Sequence, residues 1–184
     1  MTKNERLEMY DEATNLWGLS AQYDQCIEEM AELTVAINKY KRKVLCGEYE
    51  GNEMIIENLV EEYVDVSICI EQMCHFFEKY DVEKLIENQK ELMNIDEGKF
   101  KYDRCIRNMA NLTSAIIDYK VCTLLHDDEN INTKAEKVAE DVASVYVSLE
   151  SLKNQLKDHN IDEVMNKKLT KFAGQINAMR ELKK

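Results

Sequence analysis

The apolar positions of this chain fall into a pattern that occurs twice. Residues 22–41 read QYDQCIEEMAELTVAINKYK and residues 101–120 read KYDRCIRNMANLTSAIIDYK, an offset of 79 with 12 of 20 positions identical and no gap. Agreement of this kind marks an internal duplication. The same offset lays ENLVEEYVDVSICIEQM (57–73) over EKVAEDVASVYVSLESL (136–152), where few residues are identical but the apolar positions coincide. It also lays YDVEKLIENQKEL (80–92) over HNIDEVMNKKLTK (159–171). Each half is therefore expected to contain the same three helical segments in the same order.

Start and stop signals set the boundaries. Thr2 and Glu5 have capping-box spacing ahead of a first short helix, which Gly18 ends. A long helix is expected from about Ser20 to Lys43, followed by a loop over VLCGEYEGN (44–52). Asn52 is placed to cap a second long helix that ends near Tyr80, and Asp81 a third that ends near Asn94. NIDEG (94–98) links the halves. In the second half HDDENIN (126–132) is read as a loop, Thr133 and Glu136 as another capping box, and Asn160 as the cap of the last helix. The fold expected is all-α, with one repeat over 1–94 and a degenerate one over 95–184. Neither half buries its own apolar faces well, so the two are expected to stack as one pseudo-dimeric bundle.

Composition agrees with this class. The 184 residues contain no proline and only five glycines, and good helix formers recur throughout. No apolar run approaches the ~20 residues of a membrane span, and MTKNERLEMYDE has no signal-peptide core, so a cytoplasmic protein is expected. The six cysteines form no CxxC pair or Cys/His cluster, and those in apolar helical stretches, Cys26, Cys69 and Cys105, read as buried free thiols. A net charge of −12 gives the chain no electrostatic reason to bind a nucleic-acid backbone. A small phosphate ligand remains compatible with it, provided metal ions invert the local field.

The two halves differ in their acids. The first long helix carries Glu28, Glu29 and Glu32, and the second carries Glu61, Glu62 and Asp65, each set at helical one-face spacing beside apolar neighbours. A lone ExxE on a helix is usually solvated surface. Two clusters on two packed helices repel unless cations sit between them, and hard oxygen donors in such number suit Mg²⁺ or Mn²⁺. The matching positions of the second half hold Arg107, Asn108, Asn111, Asp141 and Ser144, while Cys105, Ile106, Met109, Ala110 and Leu112 keep the packing. The third helices differ in the opposite sense. Lys168 and Lys171 stand where the first half has Gln89 and Leu92. One composite site is expected, with acids from the first half and phosphate-facing lysines from the second.

EEMAE (28–32) followed by EYVD (62–65) resembles the EExxE…ExxD signature of MazG-type all-α nucleoside triphosphate pyrophosphohydrolases. WGLSAQYDQCIEEMAEL (17–33), KYKRK (39–43) and EEYVDVSICIEQM (61–73) are similar to short MazG-like proteins, and KLTK (168–171) to their closing K-L-x-R/K. The resemblance implies a helical bundle that hydrolyses a nucleoside triphosphate to the monophosphate and pyrophosphate. It implies Glu29, Glu32, Glu62 and Asp65 as ligands of Mg²⁺, with Mn²⁺ able to substitute, and Glu28 as a further ligand or the general base. Lys39 and Arg42 become candidate phosphate contacts, and Trp17 and Gln22 candidate base contacts. The second site is expected to be dead, and the assembly a monomeric pseudo-dimer or a dimer of pseudo-dimers.

Other readings compete. A carboxylate-bridged di-iron bundle needs Glu-x-x-His pairs, and none of the three histidines stands three residues after a glutamate of either cluster. A catalytically inactive nucleotide-binding or regulatory protein, or a hydrolase of a signalling nucleotide such as (p)ppGpp, is the alternative. A purely structural adaptor would leave the asymmetric loss of acids unexplained.

Overall fold

The computed structural model describes residues 1–45, 53–93 and 101–183. Among them the chain forms seven α-helices and no strand: α1 (Lys3–Trp17), α2 (Leu19–Tyr40), α3 (Glu53–Phe76), α4 (Val82–Met93), α5 (Lys101–Leu124), α6 (Ile131–Lys153) and α7 (Ile161–Leu182). A π-helical turn over Lys41–Leu45 extends α2, and a 3-10 turn over Glu78–Tyr80 precedes α4. The all-helical class expected from composition is found. No described helix is long and apolar enough to cross a membrane.

The two long helices that align at an offset of 79 bury equivalent stripes. In α2 these are Tyr23, Cys26, Met30, Leu33 and Ile37; in α5, Tyr102, Cys105, Met109, Leu112 and Ile116. The intervals alternate three and four, the spacing that keeps one seam facing a partner helix.

By contacts the chain forms two compact units, Met1–Cys69 with Leu156–Lys184, and Ile70–Gln155. In the first unit α1 packs on α2 and on α7. Arg180 of α7 pairs with Glu12, and Lys183 Nζ donates to the Leu16 carbonyl at 2.6 Å. In the second unit α6 packs on α5 and on α4, with Lys90 and Glu150 paired at 2.9 Å and Lys134 and Asp118 at 2.8 Å. The units do not follow the sequence halves 1–94 and 95–184. The third helix of the second repeat, α7, belongs with α2, and the third helix of the first repeat, α4, belongs with α5 and α6.

Several element ends differ from the sequence expectation. The Thr2/Glu5 capping box is present, with Glu5 N–H donating to Thr2 Oγ1 at 3.3 Å and Thr2 N–H to the Glu5 carboxylate at 2.6 Å. The expected Thr133/Glu136 box is not a cap, because α6 already begins at Ile131 after Asn130. Backbone bonds from Asn130 and Ile131 N–H to the Asp127 carbonyl start that helix early. Asn160 holds the N-cap position of α7 but gives no side-chain cap; its amide donates to Glu163 instead. Helix α3 stops at Phe76 rather than near Tyr80, and Asp81 takes a left-handed conformation (φ 54°) ahead of α4. Asn52, the rest of its loop from Cys46, and the linker 94–98 lie outside the described residues.

Gly18 joins α1 to α2 at φ 87° and ψ 151°, with its N–H donating to the Thr14 carbonyl at 2.8 Å. A side chain there would meet no atom within 4 Å, so the constraint is conformational. Gly18→Ala is expected to cost about 1–3 kcal/mol, since this region is open to glycine alone. Urea unfolding measures it; a neutral or stabilising result would show that the backbone relaxes out of this conformation.

Candidate acidic site

The candidate site lies in the first compact unit, on α2 and α3 with α7 beside them. Glu29, Glu32 and Glu62 each offer a carboxylate oxygen within 4.8 Å of the others, and among the described residues they are the only such group of metal-ligand type. The reason is the apolar seam. Met30 and Leu33 point α2 inward, as Leu59, Tyr63, Val64 and Val66 do α3, so acids at intervening positions meet along the margin. Glu32 stays exposed, while Glu29 and Glu62 are partly buried.

This proximity is electrostatically costly. Burial, then the charge of Asp65, raises the Glu29 carboxyl from 4.5 to about 7, against the opposing hydrogen bond from Gln25. Burial and the charges of Glu32 and Asp65 raise Glu62, against Lys168 and a 2.9 Å bond from the Asn58 amide. Burial also raises Asp65, although Lys168 donates to it and Lys171 adds a second favourable charge. For Lys168, burial works against the ammonium, but the bond to Asp65 and the charges of Asp65, Glu61 and Glu62 outweigh it and the net shift is upward.

The structure thus brings together Glu29, Glu32, Glu62, Asp65, Lys168 and, at longer range, Lys171. Asp65 is not one of the group within 4.8 Å; it is engaged by Lys168. Glu28 is exposed on α2 and outside that group. Lys39 lies seven residues after Glu32, so on the same face but about two turns, roughly 10 Å, further along. Arg42 is exposed in the π-helical turn. Trp17 stacks on Phe172 of α7, with centroids 6.2 Å apart and planes 20° from parallel, a contact that accounts for it without a ligand. Gln22 is buried. Sequence reasoning missed Gln25 and Asn58 as partners of Glu29 and Glu62, although their spacing of four residues was a usable signal.

The second unit shows what replaced the acids. Asn108, at the position of Glu29, donates to the Ser144 carbonyl at 3.2 Å and to Ser148 Oγ at 2.9 Å. Asp141, at the position of Glu62, is buried and accepts from Lys137 at 2.8 Å. Arg107 and Asn111 are exposed. Here Asn108 and Lys137 donate to neighbouring groups, although Asp141 Oδ2 is buried without a hydrogen-bond partner, where the first unit gathers acids.

The five described cysteines are free. A hydrogen bond with Cys26, together with burial, raises the Cys69 thiol well above its usual range, and burial pushes Cys105 up to about 12. These are packed, unreactive thiols.

The chain matches no protein-family model, no curated protein and no solved structure.

A pH dependence follows from Glu29. Its folded value lies above its unfolded one, so the metal-free fold gains stability as pH falls through about 7 and has the full gain below 4.5. Thermal unfolding in EDTA should therefore show a lower midpoint at pH 8 than at pH 5.5, and Glu29→Gln should flatten that difference and stabilise the pH 8 protein. A Glu29→Gln protein less stable at pH 8 would show that the carboxylate is held by favourable contacts instead.

Proposed function

We propose that the protein is a Mg²⁺-dependent hydrolase that cleaves a nucleoside triphosphate to the monophosphate and pyrophosphate, at one composite site in the first compact unit. The observation that carries this reading is the convergence of Glu29, Glu32 and Glu62 with Asp65 and with a lysine 103 residues away in sequence. The MazG-like resemblance of EEMAE…EYVD points the same way.

The donor set fits a hard divalent ion. Oxygens bound to one Mg²⁺ at about 2.1 Å lie roughly 3 Å or 4 Å apart, and the three carboxylates lie within 4.8 Å of one another. A small inward adjustment meets the requirement. Glu29, Glu32 and Glu62 would hold the ion, with Asp65 joining them, and Mn²⁺ would serve the same oxygens. When bound, the ion neutralises phosphate charge and acidifies a coordinated water. Exposed Glu28 is one turn from Glu32 and in place to accept a proton from that water or to add a further oxygen. Lys168 and Lys171 approach from α7 and would contact the phosphates; Lys39 and Arg42, further along α2, would reach the distal end of the same chain of phosphates. The second unit supplies α4, α5 and α6 without a comparable acid group, so one active site per chain is expected.

The test is product analysis over a panel of nucleoside triphosphates and (p)ppGpp, with and without Mg²⁺. Turnover to monophosphate and pyrophosphate is expected only with the metal. Glu32→Gln should reduce it on the order of a hundredfold or more, the scale of several kcal/mol of lost transition-state stabilisation. Glu32 is exposed, so this variant is expected to fold. Binding without turnover under all conditions would instead make the protein a nucleotide-binding regulator.

Asn108→Glu combined with Ser144→Asp restores two acids in the second unit. It is expected to destabilise that unit without adding activity, because the hydrogen bonds to Ser144 and Ser148 are lost and Arg107 and Asn111 remain. A doubling of turnover per chain would overturn the one-site reading.

A further inference from the structure

Lys168 and Asp65 form the long-range ion pair of the site, and both side chains are largely buried, at 27% and 18% exposure. The duplicated unit offers a comparison. Where Asp65 has become Ser144, Lys168 has its counterpart in Gln89, so both members of the pair are absent there together. Lys90, the next residue of α4, pairs outward with Glu150 instead. The ammonium therefore accompanies the acids. It also engages Asp65, which lies outside the cluster formed by Glu29, Glu32 and Glu62. Lys171, one turn further along α7, is exposed, and its charge reaches Asp65 without an ion pair.

We infer that Lys168 is an internal stand-in for the divalent cation: it neutralises Asp65 while the site is empty, and is released from Asp65 towards the substrate's phosphates when the metal arrives. The inference rests on the metal site proposed above. Its physical basis is competition. A carboxylate so placed favours whichever cation neutralises most charge, and a divalent ion shared with Glu29, Glu32 and Glu62 outcompetes one ammonium. Once displaced, the partly buried ammonium keeps the charge of Glu61 near it but loses its bonded carboxylate, and a phosphate group supplies a new one-to-one anion partner. Metal binding and phosphate binding would thus be coupled through one side chain delivered by the second repeat. Lys168 acts here as a phosphate-contacting residue whose availability the metal controls.

The test uses the intact wild-type protein and amine acetylation read residue by residue by mass spectrometry. The conditions are EDTA, Mn²⁺ alone, and Mn²⁺ with inorganic triphosphate. Exposed Lys167 is the internal reference. Labelling of Lys168 relative to Lys167 should be low in EDTA, rise severalfold with Mn²⁺, and fall again when triphosphate is added. Binding of Mn²⁺ is followed independently by loss of the free-ion electron paramagnetic resonance signal. If Mn²⁺ binds and Lys168 labelling does not rise, the exchange is wrong while the metal site stands. If Mn²⁺ does not bind, the metal site fails and the exchange falls with it. A Lys171→Gln protein should retain the Mn²⁺-induced rise at Lys168; losing it would show that the pair acts as one diffuse charge and overturn the exchange.

Discussion

Like charges held together at a partly buried margin are the constraint on which the first unit depends. Two unit charges near 4 Å repel by about 1 kcal/mol in bulk water and about 4 kcal/mol at the partial screening of a protein margin. The seam of Met30, Leu33 and Ile37 on α2, with Leu59, Val64 and Val66 on α3, favours packing strongly enough to bear this. Burial first, and the neighbouring acids after it, show in the carboxyls: Glu29 is raised to about 7, and Glu62 and Asp65 shift the same way. An arrangement that is poor for an isolated fold is well suited to a cation, which is how binding sites commonly trade stability for chemistry.

The second unit is a comparison made within one molecule. Its α5 keeps the stripe of Tyr102, Cys105, Met109, Leu112 and Ile116, so the packing demand is the same. Its polar margin carries hydrogen bonds from Asn108 to Ser144 and Ser148 and from Lys137 to one oxygen of Asp141, whose other oxygen is buried without a partner. Packing and polar satisfaction together specify a fold. Among the described residues, the first unit is where three acids gather within 4.8 Å of one another.

The grouping of third helices adds a coupling that neither repeat has alone. Helix α7 brings Lys168 to Asp65 and Phe172 to Trp17, and Arg180 to Glu12, while α4 brings Lys90 to Glu150. A basic residue in one repeat is therefore placed by the acids of the other. The two halves differ in a complementary way: the acids stand on α2 and α3, and the lysine that meets Asp65 stands on α7.

The all-helical class, the Thr2/Glu5 cap and the helical spacing of the acids were legible along the chain, because each depends on residues within a few turns of one another. Periodicity carries which face is buried, and spacing of three or four carries which side chains share it. The false cap at Thr133 was a local error of register: Asn130 and Ile131 bond back to Asp127 and begin α6 a few residues sooner. What the sequence could not decide was partnership across distance. That Lys168 meets Asp65 directly, that Trp17 rests on Phe172, and that α7 belongs with α2 rather than with α5 and α6 depend on which helices the connections and apolar seams allow to pack. The sequence by itself determined the helices and gave the expectation that acids of the first half and lysines of the second share a site; only the tertiary structure decided which side chains meet directly, because long-range packing selects among many pairings that local spacing leaves equal.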